Sequence, residues 1–294
     1  MAKNAPIETG LVTASHGRSF RVEMSDGEIV EASARGKRTD IVCGDHVKVR
    51  RLNAEQAVIE GTETRRSLLY RQDDWRTKLV AANVTQVIIV LATFPSYSDE
   101  FLGRCLLACE AEDIEPLILL NKCDLPQAEA AKQALALYQQ LGYRLLCLSA
   151  TDSVEPLRPY LQGHTNVLIG QSGMGKSTII NALLPEVQTR IGDISLALDS
   201  GKHTTTHATL YHLNGESHII DSPGMQEFGL KQIEAADLAH HFPEMRPYIG
   251  ECRFANCRHL SEPNCAIKAA LAAGKIAPGR YALFERLMGI RNAG

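Results

Sequence analysis

Gly170-Gln171-Ser172-Gly173-Met174-Gly175-Lys176-Ser177 has the spacing of a phosphate-binding loop. Asn121-Lys122-Cys123-Asp124, a pattern that reads a guanine base, lies roughly fifty residues before it. In an ordinary nucleotide domain the base-reading segment comes after the phosphate loop, so this order requires a domain threaded in circularly permuted sequence. The glycines let backbone N–H groups curl round a phosphate, Lys176 neutralises its outer oxygens, and Ser177 is placed to hold magnesium. Asp124 accepts from the N1–H and the exocyclic amine of guanine, and adenine has no such amine at that edge. Asn121 and Lys122 brace the pocket, while Ser149-Ala150 places a backbone N–H opposite the guanine carbonyl oxygen.

Each motif ends an apolar run. The runs are Gln86 to Ala92, Pro116 to Leu120, Arg144 to Leu148, Asn166 to Ile169 and His218 to Ile220, with helical segments between them. Such alternation predicts an α/β domain with a largely parallel sheet, whose ligands gather at the carboxyl ends of the strands. Asp221-Ser222-Pro223-Gly224 follows the last run, so Asp221 reaches magnesium through water and the Gly224 N–H senses the γ-phosphate. Between phosphate loop and Asp221 lies Gly201-Lys202-His203-Thr204-Thr205-Thr206; one of its threonines, Thr205 first, closes on magnesium. Met225 stands where many GTPases place a water-orienting glutamine, and a thioether cannot orient water. Either His203 takes part of that role, or a partner completes the site, or His203 only caps the loop.

Ahead of this domain, Ser19-Phe20-Arg21-Val22-Glu23-Met24 and His46-Val47-Lys48-Val49-Arg50 alternate with period two between Gly- and Asp-containing turns. That pattern predicts a small antiparallel barrel of OB-fold length over residues 1–70. Arg35, Lys37, Arg38, Lys48, Arg50 and Arg51 form either a phosphate-contacting face or a merely solvated one. Residues 61–79 read as a polar linker containing Trp75, the only tryptophan. The permuted nucleotide domain then occupies 71–228, and a helical segment, with patterns at Ala266 to Ala273 and Tyr281 to Met288, occupies 229–294.

That last segment holds Cys252, Cys257, His259 and Cys265, four soft donors within fourteen residues. Three thiolates and one imidazole suit a closed tetrahedral zinc site, structural and not catalytic. The remaining cysteines of the eight, Cys43, Cys105, Cys109, Cys123 and Cys147, sit among apolar residues and read as buried free thiols. A formal charge of −3 excludes wholesale coating of nucleic acid but not a local basic face. Residues 1–78 carry fourteen of the 31 Lys and Arg against twelve of the 34 Asp and Glu. No leader-like or membrane-spanning run is visible, so a cytoplasmic monomer is the default expectation.

With permuted motifs, a leading barrel and a trailing Cys-Cys-His-Cys cluster, the chain closely resembles the bacterial small ribosomal subunit biogenesis GTPase family over essentially its full length. The resemblance implies that Asn121, Lys122 and Asp124 read guanine, that Gly170 to Thr178 hold the phosphates of GTP, and that the cluster binds one zinc. It also implies a late-acting factor on the 30S subunit, whose 16S rRNA stimulates hydrolysis. The permutation suggests a clamp, because the γ-phosphate sensor runs directly into the zinc segment and hydrolysis would then drive release. An RNA-binding scaffold, or a regulator of another cytosolic machine, stays open as the alternative.

Overall fold

The structure is a computed structural model that describes residues 6–36, 40–73, 76–184, 208–222, 229–230 and 233–292. Five strands open the chain: β1 (Ile7–His16), β2 (Ser19–Met24), β3 (Ile29–Ala34), β4 (His46–Arg51) and β5 (Gln56–Thr62). They pair in the order β1-β2-β3-β5-β4, and β4 returns to β1, closing a barrel. The period-two reading explains its interior: Phe20, Val22 and Met24 of β2 point inward with Val12, Val30, Val47, Val49 and Ile59. Fully burying side chains of this size contributes roughly 1.5–3 kcal/mol each.

The stretch read as a linker is structured. Leu68–Asp73 (β6) and Arg76–Ala82 (β7) form a hairpin, so the division expected at residue 70 falls inside a strand. Its polar composition hid buried anchors, Leu69, Ala81 and Ala82 among the described side chains. Ala82 N–H donates to Cys43 O (2.9 Å) and Asn83 Nδ2 to Gly44 O (2.8 Å), fastening the hairpin end to the barrel. Arg65 pairs with the fully buried Asp45 at 2.7 Å. Trp75 lies outside the described residues.

Beyond the hairpin come β8 (Gln86–Ala92), α1 (Asp99–Ala111), β9 (Glu115–Asn121), α2 (Ala128–Gln140) and β10 (Arg144–Cys147). A short α3 (Arg158–Leu161), β11 (Thr165–Ile169), α4 (Lys176–Leu183), β12 (Thr209–Asn214) and β13 (Ser217–Asp221) follow. The sheet order is β10-β9-β8-β11-β13-β12, parallel except for β12. Its central strands β8, β9 and β11 carry near-continuous apolar runs because both faces are covered, whereas β10 and β12 at its margins are partly exposed. Val87, Ile89 and Leu91 of β8 face one core, and Ile88, Val90 and Ala92 face the other. β1 also touches the edge of this sheet, with Ala14 opposite Thr209 of β12.

The carboxy-terminal segment contributes α5 (Ala266–Ala272) and α6 (Pro278–Asn292). It shares one hydrophobic core with the nucleotide sheet, since Leu238, Phe242, Ile267 and Phe284 join Leu106 and Ile118. Gly103 of α1 permits that approach: a Cβ there would lie 2.3 Å from Leu283 Cδ2. Of the five cysteines read as buried, Cys43, Cys105 and Cys109 are, whereas Cys123 and Cys147 are half-exposed at the mouth of the sheet. Among the described residues no helix is long and apolar enough to cross a membrane.

Candidate nucleotide site and metal centre

The chain leaves β8 in one direction through β9 and β10, then returns to place β11 on the other side of β8. A crevice opens where the order reverses, at the carboxyl ends of these strands. Asn121, the last residue of β9, is 2 % exposed there. Its Nδ2 donates to Met174 O and its Oδ1 accepts from the Ala150 N–H, both at 2.9 Å. One side chain therefore joins three motifs. Within the Ser149-Ala150 segment, the Ala150 N–H is the group used for this brace.

Lys122 stands in the left-handed region (φ 60°), which turns its chain across the crevice. Its Nζ donates to Phe94 O and to Gly173 O, each at 2.8 Å. Cys123 donates its N–H to Leu148 O (3.1 Å), and burial beside Cys147 pushes its thiol up to about 11. Asp124 is exposed on the rim of a cavity of about 150 Å³ lined also by Asn121, Ser149, Ala150, Gly175 and Thr178. The proposed base readers thus converge on one small cavity.

The phosphate loop joins β11 to α4. Gly175 has φ 93°, and a Cβ there would meet Asn121 Nδ2 at 2.2 Å, so glycine is required by the same contact that braces the base pocket. Lys176 Nζ donates to the carbonyls of Gly170 (2.5 Å) and Gln171 (2.9 Å) within its own loop. Burial lowers the Lys176 ammonium and raises the Asp221 carboxyl, each opposed by the other's charge. Ser172, Ser177 and Thr178 are exposed, and the first turn of α4 carries no acidic residue, as an anion site at a helix start requires. Two side chains of the loop turn away from the crevice: Met174 is buried in the core, and Gln171 Oε1 accepts from the Ser98 N–H (3.0 Å) ahead of α1. His203, Thr204 to Thr206, Gly224 and Met225 lie outside the described residues.

The second cluster is the metal group. The ligand atoms of Cys252, Cys257, His259 and Cys265 all lie within 4.8 Å of one another. Tetrahedral zinc with bonds of about 2.3 Å to sulfur separates two sulfurs by about 3.8 Å. Here Cys252 and Cys265 Sγ are 3.9 Å apart, and His259 Nδ1 is 3.4 Å from each. The set fits a metal ion of the zinc type. Sequence reasoning missed its supports: Glu262 accepts the N–H groups of Arg258, Leu260 and Ser261, which hold its carboxyl down at about 2, and Tyr281 OH donates to His259 O at 2.6 Å. Neither residue belongs to a recognisable pattern.

The basic barrel face is largely cancelled. Arg35 and Arg50 share Glu60, and Arg51 is surrounded by Glu8, Asp26 and Glu28. These partners arrive from neighbouring strands, which composition does not reveal. Lys48 is exposed, while Lys37 and Arg38 lie outside the described residues.

A permuted strand order, a phosphate loop at the switch point and an Asn-Lys-x-Asp turn braced against it define a circularly permuted GTPase. The family model described as RsgA GTPase matches residues 62–231. The chain belongs to the RsgA GTPase family. It is 55 % identical over 283 residues, 96 % of this chain and 92 % of the other, to "Small ribosomal subunit biogenesis GTPase RsgA" of Neisseria meningitidis serogroup C. The protein of the same name from Nitrosomonas europaea is 49 % identical over 95 % of this chain and 90 % of its own. Among solved structures, YjeQ from Thermotoga maritima is similar with TM-score 0.76 and 28 % identity, covering 98 % of this chain and all of that one. YloQ, described as a circularly permuted GTPase, gives 0.74 and 26 %, covering 100 % and 98 %.

Proposed function

We propose that this GTPase converts GTP to GDP and phosphate during late maturation of the 30S small ribosomal subunit, in the cytoplasm, with 16S rRNA as the surface it grips. One observation supports the chemistry most: the Asn121 side chain ties the base-reading turn, the Ser149-Ala150 segment and the phosphate loop into a single pocket. The ribosomal part rests on likeness to relatives named as small ribosomal subunit biogenesis GTPases.

In this reading Asp124 selects guanine, and Asn121 and Lys122 hold the pocket in shape. The Lys176 ammonium exchanges two neutral carbonyls for phosphate oxygens, a trade favoured because charge-assisted hydrogen bonds are stronger. Ser177 and Asp221 would hold magnesium, which neutralises phosphate charge when bound. Thr205, Gly224 and His203 are assigned to closing on that site, sensing the γ-phosphate and orienting water. The Cys252, Cys257, His259 and Cys265 set would hold one structural zinc. The segment after Gly224 is anchored by the Gly229 N–H on Tyr70 O (3.2 Å) and by buried Leu230, so loss of the γ-phosphate would strain a tether of few residues.

The test is GTP hydrolysis by the zinc-loaded protein alone and with 30S subunits, 50S subunits or free RNA, with Lys176→Ala as blank. Slow basal turnover raised strongly by 30S alone is expected. Equal rates in every condition would overturn the ribosomal reading.

A further inference from the structure

Outside every nucleotide motif, the residue just beyond β8 makes an unusual contact with the base-reading turn. Ala92 and Asn121 are opposite one another where β8 and β9 end. One step later Lys122 leaves the strand for the left-handed region, φ 60°, and its carbonyl turns out of the ladder. A non-glycine residue holds that conformation only where its surroundings over-determine it. The Thr93 hydroxyl donates to the Lys122 carbonyl at 2.9 Å. Thr93 N–H donates to Asn121 O at 3.3 Å, and Lys122 Nζ reaches back to Phe94 O at 2.8 Å. Residues 93–94 and 121–122 are thus laced together, and Thr93 is only 9 % exposed.

We propose that Thr93 is a positioning residue for guanine recognition, whose hydroxyl fixes the left-handed Lys122 peptide and thereby aims Asp124 at the base. The inference rests on the assignment of Asp124 as the base reader. Threonine suits the task. Its hydroxyl adds a second donor to the Lys122 carbonyl beside the Leu125 N–H (3.1 Å), tying the turn to the end of β8, and β-branching limits the rotamers through which that donor can swing away. The other end of the Lys122 side chain, on Gly173 O, places the phosphate loop at a fixed offset from the same turn. Thr93 acts before chemistry. It sets affinity and base discrimination, and it touches no reacting atom.

The experiment compares wild type, Thr93→Val and Thr93→Ser in the full zinc-loaded chain. It measures Kd for GTP, GDP and ITP, then kcat and KM for GTP. ITP lacks the exocyclic amine that Asp124 would hold. Thr93→Val keeps the shape and removes one of the two donors on the Lys122 carbonyl, the other being the Leu125 N–H at 3.1 Å, so GTP and GDP are expected to weaken about equally, by roughly three- to tenfold, as for one lost hydrogen bond. KM should rise with kcat at saturation unchanged within about twofold, and the preference for GTP over ITP should shrink. Thr93→Ser, which restores the hydroxyl, should recover most of both. Unchanged affinity in Thr93→Val, equal damage in Thr93→Ser, or a fall in kcat at constant KM would each overturn the proposal. If Thr93→Val does not fold, Thr93→Ala carries the same expectations, and failure of both to fold would make Thr93 a folding residue instead. Asp124→Asn run in parallel separates the premises. If it leaves the guanine preference intact, the base-reader assignment fails; if it trades GTP for XTP while Thr93→Val changes nothing, only the Thr93 role fails.

Discussion

The base pocket and the cysteine–histidine knuckle solve the same problem by opposite means. Both must hold a few polar groups in fixed geometry. In the pocket the protein satisfies its own groups: Asn121 bonds Met174 and Ala150, and Lys122 bonds Phe94 and Gly173. In the knuckle three sulfurs and an imidazole crowd together, with the Ala266 N–H on Cys252 Sγ (3.4 Å) and with Glu262 and Tyr281 bracing the backbone around them. The pocket is therefore preorganised, and nucleotide binding should need little further ordering. The knuckle has the donor set of a metal site, and an ion bound there would contribute largely folding energy.

The largest test of that contrast is metal removal. Chelation, or Cys265→Ala, should abolish zinc binding and open the shared core around Phe242 and Phe284, with a loss of several kcal/mol in thermal melts. A chelated protein that melts like the loaded one would place the knuckle beside the pocket as self-sufficient. Next comes Asn121→Ala, which orphans a buried carbonyl and a buried N–H together. A cost of about 2–4 kcal/mol is expected, seen by calorimetry as GTP binding weakened by a hundredfold or so. A loss below tenfold would mean that the pocket is not held by this brace.

Glu262→Gln probes the part of the knuckle that the protein does build. Zinc affinity should fall roughly three- to tenfold in a competition titration, because the ligand loop loses a charged acceptor and keeps its four donors. The smallest effect belongs to a third joint, where His212 Nδ1 lies 2.9 Å from His218 Nδ1 and its Nε2 is 2.5 Å from Glu23 of the barrel. Burial, with His212 beside it, lowers the His218 pKa from its ordinary 6.5, while Glu23 opposes. The folded state then resists a proton that the unfolded chain accepts, so stability is full above about 6.5 and declines as pH falls below it. His218→Gln should lessen the drop in Tm between pH 7.5 and pH 5.5. An identical drop would show that this joint does not feel its histidines.

Much of the nucleotide domain was legible because its demands are local. A strand buried on both faces reads as a near-continuous apolar run, and β8 does so from Val87 to Ala92, with the buried Gln86 ahead of it. A phosphate loop needs glycines at fixed offsets. What escaped the sequence depends on which segments meet. The β6–β7 hairpin hid behind its charges, and the buried Leu69, Ala81 and Ala82 mark it as structure. The barrel arginines looked like a basic face until strand register set Arg51 among Glu8, Asp26 and Glu28. Met174 and Gln171 sit inside the phosphate motif, yet their side chains serve the core and the start of α1. Thr93 has no pattern at all, because its partner lies 29 residues away.

The pairing of Ala14 with Thr209 makes β1 a member of two structures at once, the barrel wall and the margin of the nucleotide sheet. A barrel joined this way is not a bead on a string. Turning it relative to the phosphate loop requires shearing a backbone pairing, so it sits at a set radius from the nucleotide. A macromolecule that rested on the barrel would therefore be held at a set span from Asp221.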